Sequence, residues 1–324
     1  MANKTSRRKK KYSGIGGQAV LEGVMMKNKE KYAVAVRKPS GEIAVEVENF
    51  QGMMHGSRLL EIPFIRGVFN FINSLVLGTR SLNYSASFYE EDEEGTMVDK
   101  ALDKVSGGRG EKMISLLVTL ISIVLALGLF VLLPYFISSY FEGFIRNHSL
   151  LMILEGLIRI AIFLGYVVAI SMMKDIRRLY QYHGAEHKCI NCIEGGRELT
   201  VENVMRASRF HKRCGTSFIF FVLIVSIVLF FFIRVDNVLY RILLRIALMP
   251  VVAGISYELI RLAGKYDNLF VNLLSAPGFL FQKLTTKEPD EEMVEVAIAS
   301  VNAVFDWKEY LAETFDYVWD EDEG

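Results

Sequence analysis

Residues 183 to 214 gather most of the chemistry-bearing side chains of this 324-residue chain. Three of its five histidines, His183, His187 and His211, lie there, together with all three cysteines, Cys189, Cys192 and Cys214. The run His183-Gly184-Ala185-Glu186-His187 fits the pattern H-x-x-E-H. On a helix, residues four apart share a face, so both imidazoles can reach one cation while Glu186 leans toward the same pocket. Inverted zincins use this order, with the glutamate as general base toward a water at the metal. A catalytic zinc site takes three protein ligands and keeps one position open, so a third donor is required. Glu194, His211, Cys214 and Glu258 are the candidates.

A second pattern competes for two of these residues. Cys189-x2-Cys192 followed by His211-x2-Cys214 has the spacing of a closed Cys3His structural zinc site. The plainest alternative makes His183 and His187 interfacial histidines that meet lipid phosphate or backbone. Di-iron hydroxylase chemistry is excluded, since five histidines, with His55 and His148 remote, are too few for it.

The elements that must position these groups read as membrane helices. Hydrophobic residues make up 52% of the chain, yet 37 basic residues balance 37 acidic ones, so the apolar residues are segregated. Residues 113–141 and 214–233 contain no Asp, Glu, Lys or Arg, and each stretch suffices for a bilayer core that needs roughly 20 apolar residues. The fold class expected is therefore a mainly α membrane protein. About four transmembrane helices are predicted, near 113–135, 150–173, 214–233 and 239–262, within a domain spanning 113–265.

Arg241, Arg245 and Glu258 fall inside the last of these, where end charges can snorkel to the interface. Glu155 and Arg159, four apart, are read as a mutual ion pair. The segment 174–213 carries nine Lys and Arg, whereas 136–149 has only Arg146 and 234–238 only Arg234. Positive loops stay inside, which places 174–213 and both termini in the cytosol.

Outside the membrane, residues 1–12 form a basic tail. The alternation in Tyr32-Ala33-Val34-Ala35-Val36 and Ile43-Ala44-Val45-Glu46-Val47, around Pro39-Ser40-Gly41, predicts a β-hairpin in a cytosolic region 13–85. Glycines 14, 16, 17 and 23 around Gln18 and Glu22 predict tight turns or close packing. Ile62–Leu82 turns helical but is interrupted by Arg66, Asn70 and Asn73, which suits a helix on the membrane surface or against the bundle. An acidic and glycine-containing linker covers 86–112.

Residues 266–308 hold interfacial or amphipathic helices: one over Leu269–Leu284, broken at Pro277-Gly278, and one through Met293, Val296, Ala297, Ser300 and Val304. A frayed acidic tail, 309–324, is expected at the end of the sequence. The partners expected are the lipid bilayer and further membrane proteins or a second copy of the chain in a homo-oligomer. Nucleic acid is not expected, because the chain builds no basic face beyond its tail.

Several stretches together carry a family resemblance: Gly16-Gly17-Gln18-Ala19-Val20-Leu21-Glu22-Gly23-Val24-Met25-Met26, Tyr182-His183-Gly184-Ala185-Glu186-His187-Lys188 and His211-Lys212-Arg213-Cys214-Gly215-Thr216-Ser217. With Ala253-Gly254-Ile255-Ser256-Tyr257-Glu258 and Leu284-Thr285-Thr286-Lys287-Glu288-Pro289-Asp290, they make residues 13–305 resemble the YqhQ-like family of bacterial multi-pass membrane proteins. The resemblance implies a metal-dependent enzyme. It further implies that His183, Glu186, His187, His211 and Cys214 belong to the shared pattern while Cys189 and Cys192 do not.

The reading that follows is a divalent-metal site, zinc by its imidazole and thiolate donors, at the cytosolic membrane face. His183 and His187 are its ligands, His211 or Cys214 completes it, and Glu186 serves a hydrolase as base or orienter, with Gln18 and Glu22 expected nearby. The rival is a non-enzymatic transporter, channel or scaffold that holds a structural metal or a lipid headgroup.

Overall fold

The computed structural model describes residues 11–89, 110–235, 237–265 and 269–317. The basic run Arg7-Arg8-Lys9-Lys10, the acidic stretch from Glu90, Gly107-Gly108 and the last residues of the acidic tail lie outside these. The described chain is mostly helical, with one small antiparallel sheet near the N-terminus, and it divides into two compact units.

The first unit contains residues 1–89, 170–225 and 246–324. Its sheet has four strands in sequential order: β1 (Gly16–Val20), β2 (Gly23–Asn28), β3 (Lys31–Arg37) and β4 (Ile43–Asn49). The predicted hairpin is β3–β4, with Val34 opposite Glu46 and Val36 opposite Ala44. The glycine-rich segment adds a second hairpin, β1–β2, through a tight turn in which Glu22 takes φ 48°.

Strand β3 is buried on both faces, because successive side chains point to opposite sides. Tyr32, Val34 and Val36 pack with Val20, Phe50 and Leu77, the last from α1 (Ile65–Ala86). Ala33 and Ala35 pack with Tyr182, Ala185 and Cys189 of one helix and Met293, Val296 and Val301 of another. That second helix spans Glu291–Val304. Its N-terminus is capped by Asp290, whose carboxylate accepts from Met293 N at 2.9 Å, and Glu291 and Glu292 complement the helix dipole. All five positions predicted for its apolar face are buried, and Ser300 Oγ donates to Ala33 O at 3.1 Å.

Two of the polar interruptions of α1, Arg66 and Asn70, are explained by its neighbour, the helix Met249–Lys265, while Asn73 Oδ1 accepts from Met53 N at 2.7 Å. Arg66 holds Glu258 in a two-pronged pair, Nε–Oε1 2.7 Å and Nη2–Oε2 2.6 Å, and Asn70 Nδ2 donates to Tyr257 Oη at 2.9 Å. The backbones approach closely at Gly67, where a Cβ would stand 2.8 Å from Tyr257 Cβ and 3.1 Å from the Gly254 Cα. Of the two placements open for this helix, it takes the packed one.

The remaining helices of the chain, numbered in order, are α2 (Gly110–Leu127), α3 (Leu133–Ser139), α4 (His148–Ser171), α5 (Lys174–Glu194), α6 (Val201–Met205), α7 (Gly215–Phe231) and α8 (Val238–Ala247). They continue as α9 (Met249–Lys265), α10 (Leu269–Thr285), α11 (Glu291–Val304) and α12 (Trp307–Phe315). Among the described residues, three stretches are long and apolar enough to cross a membrane: Leu117–Ser139, His148–Ser171 and Leu239–Ala263, of 23, 24 and 25 residues. The first continues through a π turn, Gly128–Leu132, just before Pro134, whose missing N–H loosens the ladder there.

The third stretch is interrupted at Leu248, ahead of Pro250. The remaining predicted span, 214–233, corresponds to α7, a shorter apolar helix of 17 residues.

Three expectations need correction. Pro277 does not break its helix: α10 runs through it, since one lost N–H leaves the flanking bonds intact. The acidic tail is helical over Trp307–Phe315, capped by Asp306 and anchored by the fully buried Leu311. Arg245 does not snorkel. In the second unit, residues 90–169 and 226–245, it is buried and its Nη1 and Nη2 meet Glu155 Oε1 and Oε2 at 2.7 and 3.0 Å. The Glu155–Arg159 pair forms as expected, at 2.7 Å, and Arg245 joins it.

Candidate metal centre

Helix α5 carries the H-x-x-E-H run, and its register brings His183 and His187 onto one face with ring centroids 4.4 Å apart. Each ring is oriented by its Nδ1. His183 Nδ1 donates to Thr285 O at 2.9 Å and His187 Nδ1 to Arg209 O at 2.6 Å. A carbonyl can only accept, so both Nδ1 atoms carry the proton and both Nε2 atoms face inward. Carbonyl-tethered rings of this kind are what metal-binding histidines use to fix tautomer and direction.

The third donor comes from the turn before α7. Cys214 Sγ lies 3.2 Å from His183 Nε2, and one ligand atom from each of His183, His187 and Cys214 falls within 4.8 Å of the others. These three buried or nearly buried side chains could hold a metal ion. Donors in a tetrahedral site lie roughly 3.3–3.7 Å apart for bonds of about 2.0–2.3 Å, so the set needs to draw in by no more than about 1 Å at its widest. Glu186 presents Oε2 at 3.9 Å from His183 Nε2 and 3.7 Å from His187 Nε2, beside the centre.

The electrostatics fit a thiolate. Burial alone would push the Cys214 thiol up, but the His183 and His187 rings hold it well below its ordinary range. Reciprocally, burial would lower His187, yet Cys214, Glu186 and the Arg209 carbonyl raise it to about 9. Cys214 stands at the start of α7 and its Sγ accepts from Thr216 N at 3.4 Å, where the helix dipole also favours the anion.

His211 lies beside this group rather than within it. Its ring is 5.8 Å from that of His187, and its Nε2 bonds Glu194 Oε2 at 3.3 Å. Glu194 also pairs with Arg213 and accepts from Ser13 N and Oγ at 3.0 and 2.9 Å. Burial opposes its charge, but His211 and Arg213 hold its carboxyl down at about 2. Glu258, another candidate donor, is occupied by Arg66.

Cys189 and Cys192 are not gathered with His211 and Cys214 into a group of donors among the described residues. Cys189 is buried in the core under the sheet, and Cys192 Sγ donates to Glu198 O at 3.2 Å. Burial pushes both thiols up, Cys192 to about 12, which suits neutral packing residues. Glu22 turns instead to Arg178 and accepts from Tyr182 Oη at 3.2 Å.

The residues that hold the loop are ones the sequence does not flag. Gly184 permits the closest approach: a Cβ there would stand 2.0 Å from Lys287 O. This lets residues 285–289 cross α5, with Lys287 N donating to Tyr180 O at 2.8 Å, and sets Thr285 O on His183. Lys188 Nζ donates to Met205 O and Ala207 O, and Asn191 Nδ2 to Ser208 O and Phe210 O, so the chain that offers Arg209 O is fixed from below. Gln282 grips His211 N and O at 2.9 and 2.8 Å. A cavity of about 550 Å³ borders the group on the His183 and Cys214 side, and Gln18 lines it.

The comparisons with known proteins agree with the resemblance seen in the motifs. No solved structure matches the chain. The "Uncharacterized protein YqhQ" of Bacillus subtilis (strain 168) is 38% identical over 292 residues, 89% of this chain and 91% of that one. A family model described as "Protein of unknown function (DUF1385)" matches residues 62–307. With both matches covering most of its length, the chain belongs to the DUF1385 family and is YqhQ-like.

Proposed function

We propose that this protein is a multi-pass membrane hydrolase that works through a zinc ion held by His183, His187 and Cys214, with Glu186 as its general base. One observation carries the reading. Two imidazoles are tethered by Nδ1 to backbone carbonyls so that their Nε2 atoms converge on a buried cysteine sulfur, with a carboxylate oxygen alongside. A structural role needs no such convergence of three metal-type donors beside an open cavity.

Bound there, zinc would polarise a carbonyl and acidify a water in its open position. Glu186 would take a proton from the attacking water as its oxygen joins the carbonyl carbon. It returns the proton to the alcohol or amine that leaves when the C–O or C–N bond breaks.

Zinc suits two imidazoles and one thiolate. In this reading α7 is a fourth crossing; at about 1.5 Å per residue its 17 residues reach roughly 26 Å, close to the bilayer core. The excess of Lys and Arg in 174–213 then sets the site at the cytosolic face with both termini inside, and partners within the bilayer include a second copy of the chain.

The placement of Cys214 favours one further reading. A thiolate at a helix start, 3.2 Å from an imidazole, is also the arrangement of a cysteine nucleophile. The two differ in what protects the sulfur. Detergent-purified full-length protein is predicted to contain about one zinc per chain and to resist iodoacetamide at Cys214 until a chelator is added. Glu186→Gln should keep the zinc and abolish ester or amide hydrolysis. Zinc-free protein that alkylates rapidly at Cys214 would favour the thiol reading, and a Glu186→Gln variant altered only in stability would favour a scaffold.

A further inference from the structure

The cavity beside His183 and Cys214 has walls of two kinds. Phe71 and Leu75 of α1, Leu179 of α5, Phe218 and Ile219 of α7 and Ile260 of α9 make it largely hydrocarbon. Hydrogen-bonding groups are few and mostly neutral: the Gln18 and Asn70 amides and the Thr216 and Tyr257 hydroxyls are among them. Among the described lining residues the one Lys or Arg is Arg213, which is already paired with Glu194 and laid 3.8 Å over the Tyr12 ring. An anionic headgroup therefore finds no free cation here.

The rim is apolar and open. Leu75 and Ile219 both line the cavity and are 54% and 46% exposed. Such a rim is unfavourable against water and neutral against lipid tails. Ile260 also belongs to Leu239–Ala263, a stretch able to cross a membrane. A volume of about 550 Å³ sits within the range of about 300–1,000 Å³ typical of small-molecule sites.

From this we infer that the cavity binds a long acyl chain drawn from the bilayer, with a neutral ester or amide carbonyl at its His183–Cys214 end. The occupant is a single-chain segment of a lipid or lipidated substrate. The inference rests on the proposed hydrolase for the carbonyl's position, and on the cavity alone for the chain.

The test reads occupancy without turnover. Full-length protein is placed in vesicles of phosphatidylethanolamine and phosphatidylglycerol containing a methyl palmitate analogue with a diazirine near the end of its acyl chain. Adducts are mapped after irradiation. Labelling is expected on Phe71 and Phe218 as well as on Val124, an outward residue of α2 that is 67% exposed. Excess methyl palmitate should cut the cavity adducts at least fivefold and leave Val124 unchanged. Leu179→Trp or Ile260→Trp should do the same at undiminished zinc content, because each fills the cavity.

Adducts confined to outward residues, or cavity adducts insensitive to methyl palmitate, would overturn the inference. If cavity labelling is saturable in protein that binds no zinc, the acyl site stands and the metal reading falls. If zinc is present and the cavity does not label, the reverse holds.

Discussion

Among the described residues, a cluster of buried ionisable groups in one compact unit can be set against one in the other, and the two are built on opposite plans. In Glu155, Arg159 and Arg245 the charges close on one another. Both carboxylate oxygens are used, the two guanidinium groups each lie 5.2 Å from the Phe230 ring, and the adjoining void of about 10 Å³ has room for little more than one water. In His183, His187, Cys214 and Glu186 the outer atoms are satisfied by backbone while the inner ones face each other beside a cavity some fifty times larger. Burial of charge alone does not mark a site. Two imidazoles and a cysteine sulfur converging beside open space do, because that donor set matches a cation and the cavity leaves room for what the cation would bind.

The contrast breaks most readily at its first member. Glu155→Ala leaves two buried guanidinium groups without their carboxylate and is expected to cost about 3–5 kcal/mol, read as a lowered unfolding midpoint in detergent, with zinc per folded chain unchanged. Zinc loss in that variant would show that the two clusters are not separate in purpose. Gly184→Ala comes next. Its methyl group meets the Lys287 carbonyl, so residues 285–289 must move off α5; a penalty of about 3 kcal/mol and at least a tenfold loss of zinc affinity are expected from titration against a chelator.

Acidification sharpens the comparison further. Glu194 is held down at about 2 against an ordinary value near 4.5, so its contribution is complete above that value and is lost as pH falls through 2. Stability should therefore drop by about 3 kcal/mol over this window, and Glu194→Gln, less stable at pH 7, should show a flatter profile. Smallest is Cys189→Ser, which places a hydroxyl in a core position at a cost of about 1–2 kcal/mol and should leave zinc content untouched, unlike Cys214→Ser.

Periodicity exposed the helices and the β3–β4 hairpin because alternation and long apolar runs are local properties. The same signal misjudged Arg245, Pro277 and Trp307–Phe315, where tertiary partners decide: Glu155 for the first, an otherwise intact helix for the second, the buried Leu311 for the third. At the site, the spacing of His183 and His187 was legible from helix geometry. The choice of Cys214 over His211 was not, since it depends on how α7 and α10 meet α5.

The groups that aim the rings, Thr285 O and Arg209 O, are backbone atoms with no side-chain signature. The nearest hint is that 284–290 and 211–217 are among the stretches shared with the family.

X-ray absorption at the zinc edge of the full-length protein tests the centre most directly. The account predicts a first shell with two imidazole nitrogens at about 2.0–2.1 Å and one sulfur at about 2.3 Å, and loss of the sulfur in Cys214→Ser but not in Cys189→Ser or Cys192→Ser. Protein that binds no zinc, or a sulfur shell that survives Cys214→Ser, would contradict it.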